Sequence, residues 1–155
     1  MFENLLAVEL ITKRNLPIWL EDESQRLGLV NIPQALWQTM RSAPVFFLEI
    51  PFEERLKQII KEYGHLNKEK IQDAILRIKK RLGGLETKNA VNYLLEGNTS
   101  SCFEILLRHY DKQYTKGLHA RNNLESLLNK ISSAHVDENK NAQKIIASLY
   151  LEKFA

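Results

Sequence analysis

Glu21-Asp22-Glu23-Ser24 follows directly on the apolar run Ile18-Trp19-Leu20. An apolar run this short reads as a buried strand, which would put Glu21 at its carboxyl end. In nucleotide-binding α/β domains, ligands sit at the carboxyl ends of parallel strands. An acidic residue there can hold Mg²⁺ or its waters while a P-loop cradles the phosphates. Asp22 and Ser24 would then orient a substrate or a water. The same residues also fit a solvated strand-to-loop junction with a helix cap. A phosphate cradle would read GxxxxGK followed by Ser or Thr. The chain has six glycines, and Gly83-Gly84, their only adjacent pair, comes after a helical stretch, so the 155 residues contain no P-loop.

The cations stand elsewhere. At 100° per residue, Lys70, Arg77 and Arg81 fall on one helix face beside an Ile71/Ile75/Ile78/Leu82 stripe. Lys79 and Lys80 point away from that face, and Lys88 follows the glycine turn. Such a stripe can close over phosphates, as arginine-bearing lids do, contact an RNA backbone, or be an ordinary solvated face. Arg55, one turn into a helix, can reach back to the strand ends or pair with Glu54 or Glu21. His65, His109, His119 and His135 have no metal-ligand spacing, and no Ser/His/Asp or Cys/His arrangement stands out. The single cysteine, Cys102, excludes an internal disulfide, fits a reducing cytosol and reads as a small, partly buried apolar residue.

These groups need a scaffold, and the hydrophobic pattern outlines one. Residues 2 to 13 read as a helix, Asn15 and Pro17 punctuate, and 27 to 32 form a short strand or an extended loop. A helix over Pro33 to Ser42 would bury Leu36, Trp37 and Met40. Pro44 to Ile50 is the strongest strand, without polar alternation, as expected of a strand covered on both faces. A helix from Pro51 stops at Gly64. Three further helices follow: 67 to 82; Leu85 to Asn98; and one from Thr99, capped by Thr99 or Ser100 with Glu104 placed for a capping box. The stretch after about 117 reads as two modest helices, Asn122 to Ser132 and Asn139 to Phe154. The expected organisation is an α/β segment over 1–65, a helical lid or extension over 66–116 and a helical tail over 117–155. Two buried parallel strands cannot stand alone as a sheet, so a central strand is missing, and the chain is expected to be part of something larger or to pair with another chain.

Of the residues, 44% are hydrophobic and 26% charged, the balance of a soluble globular domain. No apolar run approaches the roughly 20 residues of a membrane helix, and residues 1–14 do not read as a secretory signal. The net charge of +3 permits nucleic-acid contact without arguing for it.

Several blocks then occur in one order: FEN at 2–4, PIWLEDESQRLG at 17–28, IP at 32–33, M-R-x-A-P at 40–44, FLE, ER at 54–55 and EYG at 62–64. KRLGG from 80, Thr87, LLEGN at 94–98 and LLRHYDKQY at 106–114 continue it. Together they resemble the C-terminal half of bacterial tRNA 2-selenouridine synthase, over about residues 2 to 115. The resemblance implies a partial P-loop NTPase-like parallel sheet of about two to three strands with a mostly helical C-terminal half. In that family a rhodanese-like domain with a catalytic cysteine precedes the P-loop domain, so the chain resembles a truncated synthase or one piece of a split gene. The missing strand is then the one that carries the P-loop. The implied activity replaces the sulfur of a wobble 2-thiouridine with selenium from selenophosphate. It runs through a geranylated intermediate made from geranyl diphosphate, in which the sulfur leaves more readily.

Carried over, Glu21, Asp22, Ser24 and Arg55 would line a phosphate or substrate site. Lys70, Arg77, Lys79, Arg81 and Lys88 would contact tRNA or phosphate. Tyr110, Asp111 and Tyr114 would close the helical part against the sheet. No catalytic residue and no metal ligand is expected in these 155 residues, which should be inactive alone. The implied partners are tRNA, a selenophosphate-supplying enzyme and the missing N-terminal half or a second copy, in the cytoplasm and away from membranes. A non-catalytic tRNA-binding or subunit-interaction module is the alternative reading. A small-molecule-kinase-like fold that has lost its nucleotide site is a third.

Overall fold

The computed structural model describes residues 1–13, 17–22 and 24–152, the last three by their backbone alone. Asn15, Glu23 and the expected helix end at Phe154 lie outside these residues. Internal contacts divide the chain into two units, Met1–Val45 with Gly117–Asn129, and Phe46–Lys116 with Lys130–Ala155.

The first unit opens with α1 (Phe2–Thr12), which buries no residue and leaves Leu5, Val8 and Ile11 exposed. The expected buried strand at Ile18-Trp19-Leu20 is not one. These residues have no regular structure and are 40%, 51% and 48% exposed. A strand needs a neighbour to satisfy its backbone groups, and an apolar sequence does not supply one. The ambiguous stretch that follows is a small antiparallel hairpin, β1 (Arg26–Leu27) against β2 (Val30–Asn31). Gly28 turns it at φ +64°, a conformation a side chain disfavours. Pro33, extended at φ −52° and ψ 138°, then launches α2 (Gln34–Ser42). Leu36, Trp37 and Met40 become half-buried there rather than buried. In the same unit, α8 (Leu124–Leu127) follows Asn123, whose φ of +55° is the left-handed conformation that asparagine tolerates.

The second unit carries the core. β3 (Val45–Glu49), which begins at the last residue of the first unit, forms the strand its sequence predicts. It leads into α3 (Phe52–Tyr63), α4 (Lys68–Arg77), α5 (Lys79–Leu82), α6 (Gly84–Leu95) and α7 (Thr99–His119). Three of these starts have an identifiable device. Asn67 accepts the Glu69 backbone N–H at 2.7 Å, and Asn98, not Thr99 or Ser100, accepts the Ser101 N–H at 3.1 Å. Gly83, at φ +98°, separates α5 from α6 where a side chain would be strained. The expected Ile71/Ile75/Leu82 stripe is buried with Leu56, Ala90, Leu94, Cys102, Phe103 and Leu107, and Ile78 packs against them.

Residues 122–132, expected to form one helix, instead give α8 and then β4 (Leu128–Ser132), which pairs with β3 in a small parallel sheet. Leu124, Leu127, Leu128 and Ile131 have helical spacing. The open backbone of β3 wins over that local pattern, because buried backbone groups must be paired. Ser133 N–H continues the pairing at 3.0 Å from the Glu49 carbonyl, and Lys130 Nζ lies 3.0 Å from the Glu49 carboxylate. So the parallel neighbour of β3 is β4, not the Ile18–Leu20 run. Finally, α9 (Glu138–Glu152) is capped by Asp137, which accepts the Lys140 N–H at 2.9 Å.

Candidate functional site

The carboxylates that drew attention in the sequence separate in the structure. Glu21 is exposed, and the Ser24 hydroxyl donates to the Arg26 carbonyl at 2.8 Å. Asp22 accepts a hydrogen bond from Arg121 Nη2, and Arg121 Nη1 donates to the Met40 carbonyl at 2.9 Å. The Arg121 side chain is 2% exposed, and its Nε has no hydrogen-bond partner among the described residues. Beside it, Arg41 Nη2 donates to the Gly117 carbonyl at 3.0 Å, and the guanidinium lies 5.6 Å from the centre of the Trp37 ring. Burial, and then the Arg121 charge, lower the Arg41 pKa from its ordinary value, and Asp22 acts in the opposite direction.

A groove of about 440 Å³ opens in this unit. Trp37, Gln38 and Arg41 of α2 face Arg121, Asn123 and Ser126 across it, and no carboxylate stands among its described lining residues. Sequence reasoning passed over Arg121 because it lies in a stretch assigned to a helical tail. The break at Asn122-Asn123 was the available signal that this stretch turns rather than continuing as helix.

Arg55 belongs to the second unit, whereas Glu21, Asp22 and Ser24 belong to the first. It reaches back to the end of β3, as its position suggested, donating from Nε to the Ile50 carbonyl at 3.2 Å. Its acidic partner is neither Glu54 nor Glu21. Its two terminal nitrogens grip Asp111 of α7 at 2.6 and 2.8 Å, and the hydrogen bonds to Asp111 raise the Arg55 pKa against the opposing effect of burial. Arg108 stacks over Phe52 at 4.6 Å and donates to Glu104, so Glu104 serves an i,i+4 pair rather than a cap. Tyr114 lies 6.0 Å from Phe47 of β3 and 6.1 Å from Tyr110. Glu54 sits between Lys57 at 2.7 Å and His135 at 3.0 Å, and both hold its carboxyl below the usual range.

Lys70, Arg77, Lys79, Arg81 and Lys88 are all exposed. They do not share one helix, because the backbone breaks at Ile78 between α4 and α5. The single-helix stripe of Lys70, Arg77 and Arg81 is therefore corrected to cations on two consecutive helices, with Lys88 on α6. Cys102 is fully buried in α7, and burial pushes its thiol up to about 11. Among the described residues, no group of three His, Cys, Asp or Glu side chains is placed to hold a metal ion, and no helix is long and apolar enough to cross a membrane.

Comparison with known proteins defines the class. A family model described as the tRNA 2-selenouridine synthase AAA domain matches residues 1–144, and the chain belongs to this family. The tRNA 2-selenouridine synthase of Cupriavidus pinatubonensis is 29% identical over 146 residues, covering 73% of this chain and 40% of the relative. That of Shewanella piezotolerans is 33% identical over 145 residues with the same coverage. That of Pseudomonas savastanoi pv. phaseolicola is 43% identical over 65 residues, 40% of this chain and 18% of the relative. The chain thus spans about 40% of the length of the first two. No solved structure matches it.

Proposed function

We propose that the chain serves tRNA wobble-uridine modification, as the P-loop-NTPase-like part of a synthase that exchanges the sulfur of 2-thiouridine for selenium. Selenophosphate would donate the selenium and geranyl diphosphate would form the geranylated intermediate, in the cytoplasm. The observation that carries this reading is the family match over residues 1–144. These 155 residues alone are expected to be inactive. They contain no GxxxxGK[ST] cradle, and their one thiol is buried and held protonated. The exposed apolar side chains of α1 and of Ile18, Trp19 and Leu20 support a need for further polypeptide, from the rest of a longer synthase or from a second copy. The test is to incubate the purified chain with 2-thiouridine tRNA, geranyl diphosphate and selenophosphate and digest the tRNA to nucleosides. No geranylated or selenated uridine is expected, and either product would overturn the inactivity.

The second reading, a tRNA-binding module without catalysis, is favoured by the exposed Lys70, Arg77, Lys79, Arg81 and Lys88. Cations that neutralise phosphates release counterions, so affinity falls steeply with salt. A filter-binding titration of tRNA at several salt concentrations should give a steep negative slope. Binding that ignores salt would remove these residues from the interface.

A further inference from the structure

We propose that the groove between α2 and the turn preceding α8 binds a phosphate group, with Arg41 and Arg121 as its cationic wall. This proposal rests on the groove itself and not on the tRNA reading above. Two guanidinium groups stand in its lining, and the carboxylate that engages them is Asp22. Among the described residues, the local charge is therefore one cation in excess. Two arginines brought together at partly desolvated positions repel each other, and a bound anion removes that repulsion. Arg121 has spent Nη1 and Nη2 on Met40 and Asp22, yet its Nε–H, on a side chain 2% exposed, has no partner among the described residues. A buried guanidinium donor left unpaired is costly. The remainder of the wall suits an oxyanion. Gln38 and Asn123 bring amide groups that can donate to phosphate oxygens, while the Ser126 hydroxyl already donates to the Asn123 carbonyl at 2.9 Å. The volume of about 440 Å³ exceeds what a phosphate fills, so the phosphate would carry a larger group, and the Trp37 ring forms the adjoining wall. Arginine is the residue suited to planar, multidentate capture of phosphate.

The experiment uses the full chain and its two tryptophans. In a ¹⁵N spectrum, the Trp37 indole N–H reports on the groove, and the Trp19 indole serves as the internal control because it does not line it. Inorganic phosphate, titrated against chloride at matched ionic strength, should move the Trp37 signal saturably and leave Trp19 in place. Arg41→Met should weaken that response roughly tenfold or more, the equivalent of losing hydrogen bonds to a charged group. No saturable Trp37 shift, or an equal shift in Arg41→Met, overturns the proposal. Should Arg41→Met fail to fold, Gln38→Ala replaces it, with the same direction expected, and the unmodified chain's own titration stays decisive. Two competitors separate the sources of the phosphate. Displacement by an oligouridylate without terminal phosphates assigns the site to an RNA backbone. Displacement by uridine 5′-monophosphate alone assigns it to a free phosphorylated small molecule. Either result upholds the phosphate site, and only the second counts against an RNA role for it.

Discussion

The Asp22 carboxylate is bonded to Arg121, 99 positions later in the chain. A carboxylate that in sequence looked ready for a ligand already has an internal cation, and that cation is nearly sealed from water. Removing one partner of a buried ion pair strands the other, which costs about 3–5 kcal/mol. Asp22→Asn should therefore lower the urea midpoint of the first unit substantially. Replacing both residues together, Asp22→Leu with Arg121→Met, should recover part of the loss, because no buried charge is then left alone. Urea denaturation of the two variants beside the unmodified chain checks both expectations.

The Arg55–Asp111 pair ties α3 to α7 in bidentate geometry but is about one-third exposed on each side. Solvent screening limits its worth to about 1 kcal/mol. Asp111→Asn and Arg55→Lys should each cost about that much. A double-mutant cycle should return a coupling of similar size, and a coupling near zero would show that the pair is ornamental.

Ile75 is 1% exposed at the centre of the second unit's core. Ile75→Ala should destabilise that unit by about 2–5 kcal/mol, combining lost burial with an incompletely collapsed cavity. A drop in thermal midpoint, with far-UV circular dichroism unchanged at low temperature, is the expected record.

Cys102 carries a pH dependence. Its folded pKa of about 11 lies above the ordinary 9.0, so the unfolded state releases its proton first as pH rises. The stabilising contribution is complete below about 9.0 and is lost between there and about 11. Iodoacetamide at pH 8 should leave the native chain unlabelled over hours and label it rapidly in denaturant. Cys102→Ala should remove that thiol's share of the alkaline loss of stability.

Local devices made the helical half readable in sequence. Pro51, the Gly83-Gly84 pair and the Ile71/Ile75/Leu82 spacing each act within a few residues, and each stands where periodicity and turn chemistry put it. Two local details differ, the helix break at Ile78 and the cap at Asn98, and the larger failures concern neighbours that are remote in sequence. Ile18-Trp19-Leu20 is apolar enough for a strand, but pairing depends on another segment. Leu128–Ser132 has helical spacing, yet it lies beside β3 as a strand. The same limit governs the sites. Glu21, Asp22 and Ser24 were visible as a cluster of oxygens, whereas Arg121, the cation that engages one of them, was marked locally only by the Asn122-Asn123 break that follows it. Arg55 was visible and its reach toward the strand end legible, but Asp111 could be paired with it only in three dimensions.

The pairing of β3 with β4 also has a meaning in time. All of α3 to α8 is synthesised between the two strands. While those helices emerge from the ribosome, β3 presents backbone groups that its eventual neighbour cannot yet meet. The α4–α6 helices, whose contacts are short-range, can assemble during that interval. Sheet closure must wait until Ser132 has cleared the exit tunnel, and pairings across long sequence separations form slowly. A nascent chain stalled before Leu128 would therefore display an unpaired apolar strand to chaperones, and translation speed through residues 50–127 sets how long that vulnerability lasts.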